Sequence, residues 1–337
     1  GYFFTSGTSQ KPKIVPLKRR QIIQAAQASA KNFKPSPNHF WLLCLPLNHI
    51  GGIAIILRSL IYQTAVYRMS EFHEEMIREF LMLNPLFDAA SLVPTMLKRL
   101  LEDPQFRTHR DFKAVLLGGG PLSQDLLKKA VERGIPVVSS YGMTETCAQF
   151  AANMFHQPSG MYTPMTSVGK PFSPNEVEIR DEDGSRLGAN QSGLIWVKGP
   201  QVFDGYFNKK QNKGRFDKKG WFNTGDYGHM NMRKQLFIET RRTDLIITGG
   251  ENVNPTEVEQ AIERLNYIRE AAVIGVQDEE WGQKVVAFVV PAEQAEPELE
   301  ELKEHLQHRL SDFKMPKELH IVEELPRTNT GKIKKWI

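Results

Sequence analysis

The chain has 337 residues, of which 40% are hydrophobic and 24% are charged. This composition excludes a disordered or low-complexity protein, and the length suggests two or three domains. The 43 basic residues nearly balance the 39 acidic ones, so the net charge of +4 does not require nucleic acid as a partner. The longest apolar run, residues 50–57, is too short for stable membrane insertion, and the two cysteines favour a reducing compartment. We therefore predict a cytoplasmic protein.

The first two thirds of the chain alternate extended apolar runs with helical patterns. In chain order these are extended runs at 42–47 and 53–57, a helix over 72–83, an extended run at 87–93, a helix from Pro94 to Leu101, a strand at 114–117, a helix over 123–133 capped by Ser123, and a strand at 136–140. Strands that alternate with helices in this way predict a mostly parallel α/β sheet.

The pattern changes at about Val168 to short alternating runs separated by glycines, which is typical of antiparallel structure. After Arg242 a compact α+β segment is predicted, with a helix that begins at Thr256. The predicted fold is therefore a large N-terminal domain of mixed α/β sheets with a β-rich subdomain, residues 1–241, and a small α+β C-terminal domain, residues 242–337.

A polar loop near the start is the first candidate site. Residues 5–13, Thr-Ser-Gly-Thr-Ser-Gln-Lys-Pro-Lys, can offer N–H groups, hydroxyls and ammonium charge to a polyphosphate. The loop lacks the Gly-Lys-Ser/Thr triplet of a Walker A motif, and a solvated loop is the alternative.

Two further candidates follow predicted strands, where ligands collect in parallel sheets. Gly118-Gly119-Gly120 either lets a flat ligand approach the backbone or forms a plain tight turn. Farther along, Thr144 can donate to a phosphate and Glu145 can hold Mg²⁺; the alternative is a helix start with Thr144 as its cap.

Two single residues near the end of the chain are weaker candidates. Asp226 lies in a predicted glycine turn, where its carboxylate either binds a diol or closes an Asx turn. Lys332 ends the segment Pro-Arg-Thr-Asn-Thr-Gly-Lys on a predicted flexible loop, where a lysine is commonly solvated.

Taken in order, these segments resemble the adenylate-forming acyl-CoA synthetase superfamily. The resemblance runs from Phe4 to Lys332, and its motifs are Thr-Ser-Gly-Thr, Tyr-Gly-Met-Thr-Glu, Thr-Gly-Asp, Arg-Arg-Thr-Asp-Leu-Ile-Ile-Thr-Gly-Gly-Glu-Asn and Pro-Arg-Thr-Asn-Thr-Gly-Lys. In that family a carboxylate attacks the α-phosphate of ATP to give an acyl-adenylate and pyrophosphate, and the thiol of CoA then displaces AMP. The resemblance implies a small-molecule carboxylate substrate, ATP, Mg²⁺ and CoA, and it leaves a homodimer open.

The resemblance also implies roles in nucleotide binding. Gln10 and Ile14 depart from the family pattern in the phosphate loop by replacing glycines. The implied ATP-binding residues are Thr5, Ser6, Gly7, Thr8, Ser9 and Lys13 in the phosphate loop, Gly118, Gly119 and Gly120 against adenine with Ser140, Tyr141 and Gly142 opposite, Thr144 on the α-phosphate, Glu145 on Mg²⁺, Asp226 on the ribose hydroxyls, and Arg241 on the nucleotide.

For the C-terminal domain the resemblance implies mobility, because adenylation and thiolation need different faces at one acyl group. Lys332 corresponds to the lysine that bridges carboxylate and α-phosphate oxygens, and is implied to be catalytic with Thr144 and Glu145. Thr243 takes the hinge position, and Gly249-Gly250 would let the pantetheine arm of CoA pass.

Within the superfamily, residues 45–52 and 57–60 resemble the o-succinylbenzoate–CoA ligases of menaquinone synthesis. Their substrate has two carboxylates, and we expect Arg58 to bind the one that is not activated. A surface arginine at a helix end is the alternative for Arg58, and a structural role is the alternative for His49. His49, Gly118 and Tyr141 complete the expected acid site.

Two other functions stay open: a medium-chain or aryl acyl-CoA synthetase, and a non-catalytic nucleotide-binding relative. Against the family, a phosphate loop at residue 5 also predicts either a naturally short N-terminal domain or residues missing before Gly1.

Overall fold

The structure is a computed structural model that describes residues 1–5, 13–120, 122–154, 167–241, 244–293, 295–327 and 333–335. The chain divides into two compact units, Gly1–Thr224 with Gly228–Ile238, and Gly225–Tyr227 with Glu239–Ile337. The predicted domain boundary after residue 241 lies close to this division and stays a prediction. Within the described ranges, no helix is long and apolar enough to cross a membrane.

Residues 1–241 form a hairpin, two sheets and five helices within the described part. In chain order the elements are β1 (Tyr2–Thr5), β2 (Lys13–Pro16), α1 (Arg19–Phe33), β3 (Phe40–Leu43), α2 (Ile50–Tyr62), β4 (Ala65–Arg68), α3 (Glu74–Leu83), β5 (Ala89–Leu92), α4 (Pro94–Leu100), β6 (Ala114–Leu117), α5 (Gln124–Glu132), β7 (Val137–Met143), β8 (Ala148–Ala152), β9 (Lys170–Pro171), β10 (Glu176–Arg180), β11 (Gly193–Lys198), β12 (Phe222–Met230) and β13 (Leu236–Arg241).

The larger sheet has seven strands in the order β4-β3-β5-β6-β7-β8-β9. The first five run parallel, as the alternation of strands and helices predicts, and β8 and β9 join antiparallel. The carboxyl ends of β3, β5, β6 and β7 therefore meet at one edge, where α/β sheets bind ligands. The second sheet has the order β10-β11-β12-β13 and begins with an antiparallel pair, as predicted.

Helices cover both faces of the seven-stranded sheet because successive strand residues point to opposite sides. Leu42 packs in one buried cluster with residues of α3, α4 and α5, whereas its neighbours Trp41 and Leu43 pack in another with residues of α1 and α2. Helix α2 corrects one prediction, since residues 53–57 are helical and not extended. An unbroken apolar run does not distinguish a buried strand from a buried helix.

The small unit is an α+β structure, as predicted. Its elements are β14 (Ile246–Thr248), β15 (Glu251–Val253), α6 (Pro255–Ile262), β16 (Ile268–Asp278), β17 (Gly282–Pro291), α7 (Leu299–Leu306) and β18 (Glu318–Ile321). The strands form one five-stranded sheet, and α6 and α7 share a buried cluster with it. Asn254 caps α6 by accepting a hydrogen bond from the backbone N–H of Thr256, which explains where the helix begins.

Candidate active site

The phosphate-loop residues that the structure describes lie at the end of the β1–β2 strand pair that is next to the connecting segment. Thr5 and Lys13 are cross-strand partners there, on either side of residues 6–12. Residues 6–12 lie outside the described residues, and they include the predicted Ser6, Gly7, Thr8 and Ser9. Lys13 Nζ lies 5.0 Å from the ring centroid of Tyr206. The Tyr206 hydroxyl donates to Glu145 Oε1 at 2.8 Å. Two predicted nucleotide residues therefore converge on a tyrosine that the sequence did not single out.

Glu145 is held in place by the short segment that contains it. Thr144–Thr146 form one 3₁₀ turn directly after β7, with Met143 in the capping position. The alternative in which Thr144 caps a helix is therefore wrong, and Thr144 is left at the carboxyl end of a strand. Gln201, which is fully buried, donates to the backbone oxygens of Thr146 and Gln149 at 2.7 Å each and so braces the turn.

Gly118 begins the glycine segment that follows β6, and it lies against Ser140 on β7. A Cβ added at Gly118 would stand 2.7 Å from Ser140 Oγ, which itself donates to the backbone oxygen of Leu117 at 3.1 Å. Gly119 and Gly120 continue the segment near Val93 and Pro94. The absence of a side chain at Gly118 lets two strand ends approach closely, which is the geometry a flat ligand needs beside the backbone.

Arg58 is buried in α2, with 8% of its surface exposed, so the alternative of a surface arginine at a helix end is wrong. Its guanidinium carbon lies 4.1 Å from the ring centroid of Trp41 and 5.2 Å from that of Phe33. The two rings are nearly perpendicular, at 81°, and Trp41 Nε1 donates to Ser91 Oγ at 3.0 Å. The guanidinium therefore sits in a fixed aromatic corner.

Hydrogen bonding at Arg58 is incomplete. Nη1 lies 3.5 Å from Gln149 Oε1, a long and weak hydrogen bond. Nη2 of Arg58 and Nε2 of Gln149 are both buried and have no hydrogen-bond partner among the described residues. Both orphaned groups are donors, which calls for an acceptor that the described protein does not supply.

Arg180 is a useful comparison because it is also 8% exposed and also lies against tryptophan rings. Arg180 pairs with Glu178 at 2.7 Å and with Asp217 at 2.9 Å. Burial alone would lower the pKa of Arg180, but hydrogen bonds to Asp217 and Glu178 outweigh burial and raise it. At Arg58 no carboxylate among the described residues opposes burial, and the pKa falls to about 10.

The other predicted acid-site residues lie near the same strand ends. His49 is half-buried and occupies the N-cap position of α2 without a side-chain capping hydrogen bond, and the next residue, Ile50, belongs to the buried cluster that contains Tyr141. Gly142 is the cross-strand partner of Gln149 in the β7–β8 ladder. The structure thus links Arg58, through Gln149, to the strand that carries Tyr141 and Gly142.

In the second unit, Asp226 and Arg241 form an ion pair, with Arg241 Nε 3.2 Å from Asp226 Oδ1. Asp226 is 5% exposed and lies within β12, so the predicted glycine turn around it is wrong. The two residues predicted to bind the nucleotide are therefore neighbours, with a carboxylate able to accept hydrogen bonds from hydroxyl groups.

Gly249 and Gly250 form the two-residue turn of the β14–β15 hairpin, with φ values of 57° and 84°. Positive φ at both positions is typical of a type I′ turn and favours glycine. The Gly249 N–H donates to the backbone oxygen of Trp281 at 2.8 Å, and a Cβ at Gly249 would stand 3.1 Å from the Trp281 ring. Thr243 and Lys332 lie outside the described residues.

The residues present fit Mg²⁺ that arrives with a nucleotide. Mg²⁺ is usually bound by one or two carboxylates together with substrate phosphates and water, and Glu145 supplies one buried carboxylate. No cluster of three or more His, Cys, Asp or Glu side chains that would bind a metal by itself occurs in the described part of the chain. Cys147 is buried, and burial raises the pKa of its thiol to about 12.

Sequence reasoning missed four residues of this site: Tyr206, Gln149, Trp41 and Phe33. Gln149 lies four residues beyond the Tyr-Gly-Met-Thr-Glu motif of residues 141–145, whose family resemblance was a usable signal. The other three are aromatic residues in apolar surroundings, and no pattern separates them from ordinary core residues.

Comparison with known proteins places this geometry in a family. The AMP-binding enzyme profile matches residues 2–207, and the AMP-binding enzyme C-terminal domain profile matches residues 257–332. The 2-succinylbenzoate–CoA ligase of Listeria monocytogenes is 40% identical over 98% of this chain, which spans 68% of that relative.

Solved structures agree with this assignment. The o-succinylbenzoate CoA synthetase of Bacillus subtilis, solved with the acyl-adenylate intermediate OSB-AMP, has a TM-score of 0.90 and 35% identity; the alignment covers 99% of this chain and 67% of that one. The same enzyme with ATP and magnesium ion has a TM-score of 0.89 at 34% identity, covering 99% and 68%. ATP-bound MatB of Rhodopseudomonas palustris has a TM-score of 0.92 and 30% identity, covering 99% and 66%. The chain belongs to the AMP-binding enzyme family and is an adenylate-forming acid–CoA ligase.

Proposed function

We propose that this ligase activates o-succinylbenzoate and forms o-succinylbenzoyl-CoA. The observation that carries the proposal is the buried Arg58, whose Nη2 lacks a partner among the described residues. A buried arginine without a carboxylate is costly, and Arg180 shows that the same chain can supply carboxylates to a buried arginine. The missing partner at Arg58 is therefore the second carboxylate of the substrate.

The aromatic corner also suits this acid. Trp41 and Phe33 hold the guanidinium plane, so its N–H groups point in fixed directions and lose little entropy when a carboxylate binds. Gln149 adds a second orphaned donor beside it. Planar carboxylates accept such paired donors well.

Two relatives support the choice of substrate, since the Listeria protein is named a 2-succinylbenzoate–CoA ligase and the Bacillus enzyme was solved with OSB-AMP. The alternative of a medium-chain or aryl acyl-CoA synthetase gives Arg58 no carboxylate to bind. A non-catalytic nucleotide-binding relative explains neither the orphaned donors nor the retained Lys332.

In adenylation, the protein's task is to place two negatively charged reactants together. Lys13 offers positive charge to the phosphates, and Gly118 with Ser140 lets adenine lie beside the backbone. Thr144 donates to the α-phosphate, and Asp226 accepts the ribose hydroxyls while Arg241 orients it. Glu145, oriented by Tyr206, would hold Mg²⁺, which when bound neutralises phosphate charge.

Lys332 supplies the remaining positive charge, between the attacking carboxylate and the α-phosphate. The CoA thiol then attacks the acyl carbonyl and AMP leaves, and the Gly249-Gly250 turn gives the pantetheine arm room beside the backbone. Only the first step needs Lys332, because AMP is already a good leaving group in the second.

Pyrophosphate release with a panel of acids tests the substrate directly. The panel contains o-succinylbenzoate, benzoate, octanoate and malonate, each with ATP and Mg²⁺, followed by detection of the CoA thioester. We expect o-succinylbenzoate to give the highest kcat/KM. Equal use of benzoate or octanoate would refute the proposed substrate, and no release with any acid would favour a pure nucleotide-binding protein.

The variant Lys332→Ala tests the role of the lysine by separating the two half-reactions. We expect pyrophosphate release to fall by about a hundredfold or more, while conversion of supplied acyl-adenylate to the CoA thioester stays within about twofold. Equal losses in the two half-reactions would contradict the assigned role.

A further inference from the structure

The outer face of the β1–β2 strand pair carries two exposed aromatic side chains. Tyr2 and Phe4 are 66% and 62% exposed, whereas Phe3 between them is partly buried and packs against a core cluster. Successive strand residues point to opposite faces, so both exposed rings project from the same face of the strand pair. That face therefore presents aromatic surface to solvent.

A third exposed ring, that of Phe207, lies beside this face. Phe207 is 61% exposed, and its ring meets that of Tyr2 edge to face, with the centroids 5.9 Å apart and the planes at 84°. The Phe207 N–H donates to the backbone oxygen of Ile14 at 3.0 Å, and Ile14 is the cross-strand partner of Phe4. Exposed apolar side chains that cluster in this way mark an interaction surface, whereas single scattered ones do not.

Three exposed lysines lie directly after Phe207, at positions 209, 210 and 213. The first two belong to a one-turn 3₁₀ helix, Lys209–Asn212, which Asn208 caps by accepting a hydrogen bond from the Lys210 N–H at 3.1 Å. Within the described part of the chain, none of the three ammonium groups forms an ion pair or a contact with a ring. Their charge is therefore available to an anionic partner.

The two aspartates nearest this turn in sequence are already paired with other cations. Asp204 lies 2.7 Å from Lys18 and 3.0 Å from Arg20, and Asp217 lies 2.9 Å from Arg180. Residues 205–220 contain six lysines or arginines and one aspartate, a net charge of +5, whereas the whole chain has a net charge of +4. The excess positive charge of the protein is therefore concentrated in the segment that carries the turn.

We propose that this surface docks the protein peripherally on anionic lipid bilayers. We call it the aromatic–lysine face, and its residues are Tyr2, Phe4, Phe207, Lys209, Lys210 and Lys213. Aromatic rings bind where lipid headgroups meet acyl chains, and the flexible stems of lysines let their ammonium groups reach lipid phosphates. Docking of this kind adds to the acid–CoA ligase activity and does not depend on which acid is activated.

Other partners fit the aromatic–lysine face less well. Stacking of nucleic acid bases needs free ring faces, and the edge-to-face contact of Tyr2 with Phe207 occupies one of them. The cations are lysines, which lack the planar fork with which arginine binds phosphates or base edges. In a two-fold dimer the same face would meet itself, and the lysines of the two copies would repel each other. A lipid surface meets both the aromatic and the cationic part of the face.

Cosedimentation of the 337-residue chain with lipid vesicles tests the docking. We expect binding to phosphatidylcholine vesicles that contain about one third phosphatidylglycerol, and no binding to vesicles of phosphatidylcholine alone. Raising the salt concentration from about 0.1 M to about 1 M shortens the Debye length from about 10 Å to about 3 Å and should release the protein. Equal binding to the two kinds of vesicle, or binding to neither, overturns the proposal.

The double variant Lys209→Glu with Lys210→Glu tests the cationic part of the face. Each lysine near an anionic surface contributes about fivefold to binding, so we expect binding to the anionic vesicles to fall at least about 25-fold. The matched control is Lys128→Glu with Lys129→Glu, which makes the same charge change at two exposed lysines of α5. The control should bind as the unchanged chain does. If the control loses as much binding, net charge alone explains the effect and the proposed face is wrong.

The variant Phe207→Ser tests the aromatic part, and we expect it to weaken vesicle binding about tenfold. Leu83→Ser is the matched control, since Leu83 is 72% exposed on α3 and lies outside the face. A second readout uses Phe207→Trp, whose fluorescence should shift to shorter wavelength when anionic vesicles are added, whereas that of Leu83→Trp should not. An unshifted Phe207→Trp spectrum would mean that no ring enters the lipid, which contradicts the proposal.

The same variants separate the lipid surface from the other partners. If the unchanged chain binds a single-stranded oligonucleotide but no vesicles, and the double lysine variant does not, the partner is a nucleic acid. If light scattering shows a dimer that Phe207→Ser dissociates, the face joins two copies of the chain. Either result overturns the proposal. Because the replaced side chains are exposed, we expect unchanged melting temperatures and unchanged pyrophosphate release without lipid, so lost vesicle binding does not report unfolding.

Discussion

Replacing Arg58 with methionine should make the ligand-free protein more stable while it weakens binding of o-succinylbenzoate. Burial lowers the pKa of Arg58 from its ordinary value of about 12.5 to about 10. That difference corresponds to a cost of about 3 kcal/mol for keeping the buried cation in the folded state. Because the Arg58 guanidinium is protonated in both the folded and the unfolded state below about pH 10, the whole cost of burying the charge is present at neutral pH.

Contacts of the guanidinium offset part of this cost. The stack on Trp41 at 4.1 Å contributes about 2 kcal/mol in a desolvated site, and the 3.5 Å contact with Gln149 contributes little. Methionine fills a similar length with apolar atoms and keeps contact with the rings. The expected net gain in the free energy of unfolding is about 1 kcal/mol.

The effect on the substrate has the opposite sign. Removing the charged partner of a buried carboxylate costs at least about 2 kcal/mol, or roughly 30-fold in affinity. We therefore expect the KM for o-succinylbenzoate to rise at least about 30-fold, with the KM for ATP changed less than about threefold.

Urea unfolding and steady-state kinetics measure the two effects, and Arg180→Met is the matched control. Arg180 is equally buried but pairs with Glu178 and Asp217, so its replacement should lower stability by about 1–3 kcal/mol and leave the KM for the acid unchanged. If Arg58→Met loses stability as Arg180→Met does, Arg58 is a structural arginine. An unchanged KM for the acid would also refute the reasoning.

Two further substitutions probe the nucleotide part of the site. Tyr206→Phe removes the 2.8 Å hydrogen bond to Glu145, and losing a hydrogen bond to a charged group costs about 1.5–3 kcal/mol. The Mg²⁺ concentration that gives half-maximal activity should therefore rise about tenfold or more. A magnesium titration checks this, with the KM of the acid as control, and an unchanged Mg²⁺ requirement would contradict the prediction. Gly118→Ala places a Cβ 2.7 Å from Ser140 Oγ and should therefore raise the KM for ATP. Adding Ser140→Ala should bring the KM for ATP much of the way back. If the second substitution does not lower this KM, the close approach of the two strands is not the cause of the increase.

Local chemistry made much of the fold predictable. Pro94 opens α4, and Ser123 caps α5 by accepting from the backbone N–H of Leu126, each at the predicted place. Helix α6, which Asn254 caps, begins at Pro255, one residue before the predicted Thr256. The strand predicted at residues 114–117 is confirmed as β6, because a short, fully apolar run between turns suits a buried parallel strand. The prediction of an extended run at residues 53–57 is wrong because an apolar run of this composition suits a buried helix equally well.

The contacts of the site were beyond prediction from local patterns. Arg58 meets Gln149 across 91 positions of sequence, and Tyr206 reaches Glu145 across 61. No helical or strand spacing in the sequence relates the two residues of either pair. Burial of Arg58 depends on Trp41, which belongs to the strand β3. The motifs indicated which residues to consider, but only the tertiary structure shows that Arg58 is buried with an unmet donor.

Arg58 and Glu145, two of the buried charged residues of the large unit, share a design that indicates the charges of their ligands. Arg58 is held by a neutral amide and aromatic rings, and Glu145 is held by a neutral phenol. Neutral partners fix a charged side chain in direction without cancelling its charge, whereas the carboxylates around Arg180 cancel most of that charge and serve the fold. A carboxylate is then the favoured ligand at Arg58 and a cation the favoured ligand at Glu145. An analogue of o-succinylbenzoate with a neutral amide in place of the distal carboxylate keeps the shape of the acid, so poor use of this analogue by the protein would follow from charge alone. The variant Arg58→Met should in turn use an analogue with an apolar group at that position better than the unchanged protein does.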